Sequence, residues 1–130
     1  MKNLISMRFS IDALITIFSL VMIFHVLVLL GIIPFEIVWG GRLKSNEEMI
    51  PFEITSIALN AVMVIIVMMR AGLLKVKFNP IVFRVAFWCM FVLFLINTIG
   101  NIFSNNHWEQ VIFTPLTLLL AVFSLRLAIE

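Results

Sequence analysis

Charge is what this chain has least of. Only 12% of its 130 residues are Asp, Glu, Lys or Arg, about half the share of an ordinary soluble domain, while 63% are apolar. The mean hydropathy is +1.19. A soluble globule has no way to hide so much apolar surface, since a domain of roughly 150 residues buries only about 70% of what its unfolded chain exposes. The shortage of charge therefore excludes a soluble enzyme, a disordered tail and a nucleic-acid module. It points to a single transmembrane domain whose first partner is the lipid bilayer.

Other absences narrow the chemistry. Cys89 is the single cysteine, so no intrachain disulfide and no paired-thiol redox or zinc motif is available. Lying between Trp88 and Met90 in an apolar run, it reads as a small core residue. Glycine is scarce, at five residues, and no G-x-x-x-G occurs, so close backbone approach is not what joins the helices. No two histidines stand at ligand spacing, His107 falls in a loop, and none of the eight methionines has another one helical turn away. No metal and no cofactor is expected. Nine Lys and Arg against seven Asp and Glu give a pI near 9.1. They form no aromatic-interleaved basic patch, so nucleic acid is not an expected partner.

What is present is a set of long apolar runs. Crossing a hydrocarbon core of about 30 Å takes roughly 20 apolar residues in a helix. Four segments qualify, near residues 11–33, 51–74, 80–103 and 107–128. An all-α, polytopic four-helix bundle follows. The first run is too long for the apolar core of a signal peptide and no A-x-A site follows it, so it reads as a retained span. Pro34 would stop it, Pro51 would open the second as a first-turn proline, and Asn79-Pro80 would cap and start the third. Asn106 and Glu109 resemble a capping box at the start of the fourth, and Pro115 is expected to kink that helix near Val111.

The basic residues set the expected orientation. Lys2, Arg8, Arg70, Lys75, Lys77, Arg84 and Arg126 fall on one side, against Arg42 and Lys44 on the other. The positive-inside rule puts both termini in the cytoplasm, N-in and C-in, in a cytoplasmic or inner membrane or a plasma membrane. Trp39 and Trp108 then fall at the outer interface, Trp88 reads as internal packing, and Asp12 is the expected partner of Arg84 or Arg126.

Polar side chains inside spans normally face the bundle interior or a wet cavity. Glu53, Ser56 and Asn60 share one face of the second helix, Asn97 and Asn101 one face of the third, and Gln110, Thr114 and Thr117 one face of the fourth. The first helix contributes His25. At a rise of about 1.5 Å per residue, His25 and Asn60 lie about 12–14 Å from the outer end and Asn97 about 9 Å. Glu53, Asn101 and Glu109 come above them, with Glu36 and Arg42 in the first outer loop, where Gly40-Gly41 lets the chain turn an arginine back over the mouth. Amides alone would read as glue between helices. The acids and the histidine are costly in lipid unless hydrated, paired or protonated, so they favour an outward-facing polar pocket for a small ligand or ion. The expected ligand-binding set is His25, Glu53, Asn60, Asn97, Asn101, Arg42, Glu36 and Glu109.

Function divides along this line. A pocket implies transport or sensing, and transport through so few helices implies a homo-oligomer. Glue alone implies an accessory subunit of a larger membrane partner. No nucleophile stands beside a base in the sequence, so a lipid-modifying enzyme is the third choice and no catalytic residue is assigned.

Overall fold

The computed structural model describes residues 3–38, 42–74 and 79–129. Its helices are α1 (Met7–Leu29), α2 (Asn46–Arg70), α3 (Pro80–Ile102) and α4 (His107–Ala128), with a short 3-10 turn at Phe35–Ile37 between α1 and α2. All four are long and apolar enough to cross a membrane, and no strand occurs among the described residues.

The chain ends its helices by hydrogen-bond capping. α1 ends at Leu29, earlier than Pro34, with Gly31 just past its cap. Gly31 takes φ 82°, and the amides of Ile32 and Gly31 bond to the carbonyls of Leu27 and Val28 at 2.9 and 3.0 Å, the pairing of a Schellman motif. Gly72, at φ 79°, ends α2 in the same way, with Leu73 bonding to Met68 and Gly72 to Met69. α2 also begins earlier than Pro51, at Asn46. Ser45 caps it by accepting from the Glu48 amide at 3.2 Å, and Glu47 and Glu48 lie in its first turn, where negative charge is favoured. Pro51 is therefore carried inside the helix. α3 starts as its sequence suggests, with Asn79 accepting from Ile81 at 2.9 Å. Asn106 caps α4 by accepting from the amides of Trp108 and Glu109, and the helix is continuous through Pro115.

The helices run up and down. α3 and α4 pack most extensively, α1 packs on both α2 and α4, and α2 and α3 scarcely touch. The main core lies toward the end that carries the termini, where Leu14, Phe18, Val67, Phe87, Leu120 and Leu127 meet. A second cluster of Val28, Val38, Leu43 and Met49 seals the opposite end, beneath the first connection. The outward faces are apolar too: Ile23, Val62, Val85, Ile99 and Leu118 are all exposed.

Several side chains lie elsewhere than their neighbours in sequence suggest. Trp88, at 41% exposure, points outward, in edge contact with Phe91, and Cys89 is exposed rather than in the core. The buried face of α3 is Phe87, Met90, Phe94 and Thr98. Residues 88 and 89 sit between turns of that stripe and face away from it. Asp12 is exposed. Arg126, instead of reaching out beside it, is buried, and its Nε donates to the Ile5 carbonyl at 2.7 Å, tying the last turn of α4 to the chain just before α1. Trp39, Gly40, Gly41, Lys2, Lys75 and Lys77 lie outside the described residues.

Candidate functional site

The most informative contact joins α1 to α2. His25 lies one turn before the end of α1 and Glu53 two turns into α2. Their Nδ1 and Oε2 atoms are 2.6 Å apart, with the carboxylate 0% exposed and the imidazole 14%. Such a distance is that of a charge-assisted bond, made either by His25 as imidazolium or by a carboxyl proton shared with a neutral ring. Burying a carboxylate costs several kcal/mol unless it is paired, so the histidine explains how Glu53 is tolerated in an apolar helix. The pairing is incomplete, because the other oxygen, Oε1, is buried with no hydrogen-bond partner.

On its other side His25 lines a cavity of about 450 Å³, within the roughly 300–1,000 Å³ of ordinary small-molecule sites. The expected site residues Arg42, Asn60, Asn97, Asn101 and Glu109 line it as well, and Ser56 joins them from α2. Polar groups from all four helices and the first connection thus reach one space. Glu53 stands behind His25 rather than on the wall, and Glu36, exposed on the 3-10 turn, is not part of the lining.

These polar residues divide into two kinds. Asn101, Thr98 and Thr117 bind α3 to α4: the two threonine hydroxyls are 2.9 Å apart, and Asn101 Nδ2 donates to Thr117 Oγ1 at 3.2 Å. Gln110 closes the corner between the same helices by donating to the carbonyls of Ile102 and Ser104. These are structural bonds. Asn60 donates to the Ser56 carbonyl one turn back on its own helix at 2.7 Å and, among the described residues, makes no bond to another helix, while Asn97 is exposed and lines the cavity. Asn60 and Asn97 are therefore the wall groups that no bond between helices accounts for, whereas His25 both lines the wall and joins α1 to α2 through Glu53.

The deeper wall is apolar and was not legible as a site. Phe24 and Phe113 pack ring to ring across α1 and α4 at 4.7 Å, and Met63, Phe94 and Leu120 close the floor. Gly100 also lines the cavity, and a Cβ built there meets nothing within 4 Å. Apolar residues on an apolar helix carry no sequence signal that separates pocket from core. Among the described residues no three His, Cys, Asp or Glu gather as metal ligands.

The chain matches no protein-family model, no curated protein and no solved structure. What the fold defines is a class, an all-α four-helix chain with helices of membrane-spanning length, and the site's own geometry carries whatever is said of function.

Proposed function

We propose that this is a multi-pass membrane protein, with both termini in the cytoplasm, whose cavity binds a small ligand or ion from the outer half of a cytoplasmic, inner or plasma membrane, in transport or sensing. The observation that carries the reading is the wall itself: His25, Asn60 and Asn97 face one space of about 450 Å³, and an acid is buried behind the histidine at the cost of an unpartnered oxygen. Helix cohesion accounts for the His25–Glu53 bond, but not for the cavity beside it or for its wall amides Asn60 and Asn97. Transport would call for more than one copy, because a bundle this small has little room for a continuous path. An accessory subunit is the reading left if the cavity has no occupant.

The test separates pocket from packing by filling the space without disturbing the fold. Gly100→Leu adds a bulky side chain at a position that lines the cavity and where a Cβ meets nothing within 4 Å. Asn97→Ala removes a wall amide that is exposed. The purified protein is screened by thermal unfolding in detergent against small organic anions, organic cations, alkali-metal ions and membrane amphiphiles. A ligand that raises the melting temperature of the parent but not of Gly100→Leu supports the reading. It is overturned if no compound stabilises the parent, or if those that do act equally on Gly100→Leu.

A further inference from the structure

The cavity has a side as well as a mouth. α1 packs on α2, α1 on α4 and α3 on α4, but α2 and α3 leave a gap, and the cavity lies behind it. Its edges are Leu59 on α2 and Leu93, Ile96 and Asn97 on α3, with Leu59 at 48% and Ile96 at 60% exposure. Were the helices in water, an aperture edged by leucine and isoleucine would close. Facing hydrocarbon it carries no such penalty, because lipid tails are as apolar as the rim. Of the neighbouring helix pairs α2 and α3 pack least closely, so a chain entering from the bilayer meets the least obstruction there.

The lining is graded along the bundle. Near the first connection it presents Arg42, His25, Asn97 and Asn101, and further toward the middle it presents Met63, Phe94, Leu116 and Leu120, with Asn60 the one amide at that depth, two turns beyond Glu53 on α2. The cationic group at the polar end is not consumed by a neighbour. Arg42 is exposed, and the one ion pair among the described residues that joins a site acid to a base is His25 with Glu53. That pair takes up the Glu53 carboxylate. Glu109, the other acid on the wall, is buried and is engaged with the protein. A planar guanidinium in the same lining as the Asn97 amide is suited to a carboxylate or phosphate.

We propose that the occupant is an anionic single-chain amphiphile, with a carboxylate or phosphate head and an alkyl or prenyl tail, that enters sideways from the bilayer between α2 and α3. Its head lies at Arg42 and the wall amides, and its tail runs past Leu93 toward Leu116 and Leu120. This deepens the ligand-binding reading and rests on it.

The experiment uses the full chain in lipid nanodiscs and measures retention of matched radiolabelled probes: palmitate, hexadecyl phosphate, hexadecanol, hexadecylamine, and the tailless acetate and inorganic phosphate. Palmitate and hexadecyl phosphate are expected to bind saturably, at least tenfold more tightly than the alcohol or the amine. Acetate and phosphate are expected not to bind. Arg42→Gln should weaken the two anionic amphiphiles at least tenfold while leaving hexadecanol unchanged. Gly100→Leu should abolish binding, whereas Leu118→Phe, on the exposed far face of α4, should not. Equal binding of amine and acid, or of tailless anion and amphiphile, overturns the amphiphile assignment and leaves the pocket standing. No saturable binding of any probe also overturns it, and the thermal screen then decides whether the pocket reading falls with it.

Discussion

At the scale of single residues the His25–Glu53 pair governs both stability and the character of the site. A carboxylate at 0% exposure whose single partner is an imidazole 2.6 Å away stays buried only while that partner remains. Removing one member of a buried pair typically costs about 3–5 kcal/mol, whereas replacing both with apolar groups of similar volume is often neutral. His25→Ala should therefore destabilise the protein by about 3–5 kcal/mol, and the double variant His25→Phe/Glu53→Leu should recover most of it. Steric-trapping or thermal measurements on the two singles and the double form the cycle. An additive double variant would mean that the two side chains do not interact. The periodicity of α2 made it legible that Glu53, Ser56 and Asn60 share a face. Which residue would satisfy the glutamate was not legible, because the partner is 28 positions away and depends on how α1 and α2 meet.

At the scale of elements the glycines make opposite predictions from one chemistry. Gly72 ends α2 at φ 79° with open space around its Cβ position, so Gly72→Ala suffers only the backbone penalty of the left-handed region, about 1 kcal/mol. Gly100 lies inside α3 with equally open space and no positive φ, so Gly100→Ala should stabilise the helix by up to about 1 kcal/mol. Paired melting curves that shift the same way for both would contradict this account of the termini. Caps behave similarly: Ser45→Ala removes the acceptor for the Glu48 amide and should cost about 1 kcal/mol. The starts of α3 and α4 were legible because Asn79 and Asn106 are local signals acting within three residues. The start of α2 was misplaced because Pro51 is also a local signal, and it lost to Ser45 and the two glutamates behind it. Pro51 is the sixth residue of α2, beyond the first-turn amides that lack an intrahelical acceptor, so the helix gives up one hydrogen bond there, a loss that the Ser45 cap and the favourably placed glutamates offset.

At the scale of the whole molecule the outward faces specify the surroundings. Exposed isoleucines, valines and leucines on every helix fit hydrocarbon, and Trp88 at 41% exposure places an indole among them. In a variant that keeps Trp88 as its sole tryptophan, lipids brominated along the acyl chain should quench its fluorescence strongly. A sole Trp108, at the N-terminal end of α4, should be quenched best by bromines near the headgroup. Reporter fusions are expected to place both termini in the cytoplasm and the Arg42 connection outside, the orientation proposed from the distribution of basic residues. An outer C-terminus would reverse the side from which the cavity opens.

The sequence by itself determined that there are four helices long and apolar enough to cross a membrane and which face of each is polar, because these depend on composition and on a periodicity that every helix repeats locally. It also brought His25, Arg42, Asn60, Asn97, Asn101 and Glu109 into view as residues of one end of the bundle. Only the tertiary structure decided which of them hold helices together and which face a space: Asn101 bonds to Thr117 while Asn97, one turn earlier, does not. Only it decided that Glu53 stands behind His25, that Glu36 stands apart, and that α2 and α3 leave a gap. The physical reason is that periodicity fixes the direction of a side chain about its own helix axis, while the distance between two axes is set by how all four helices pack at once.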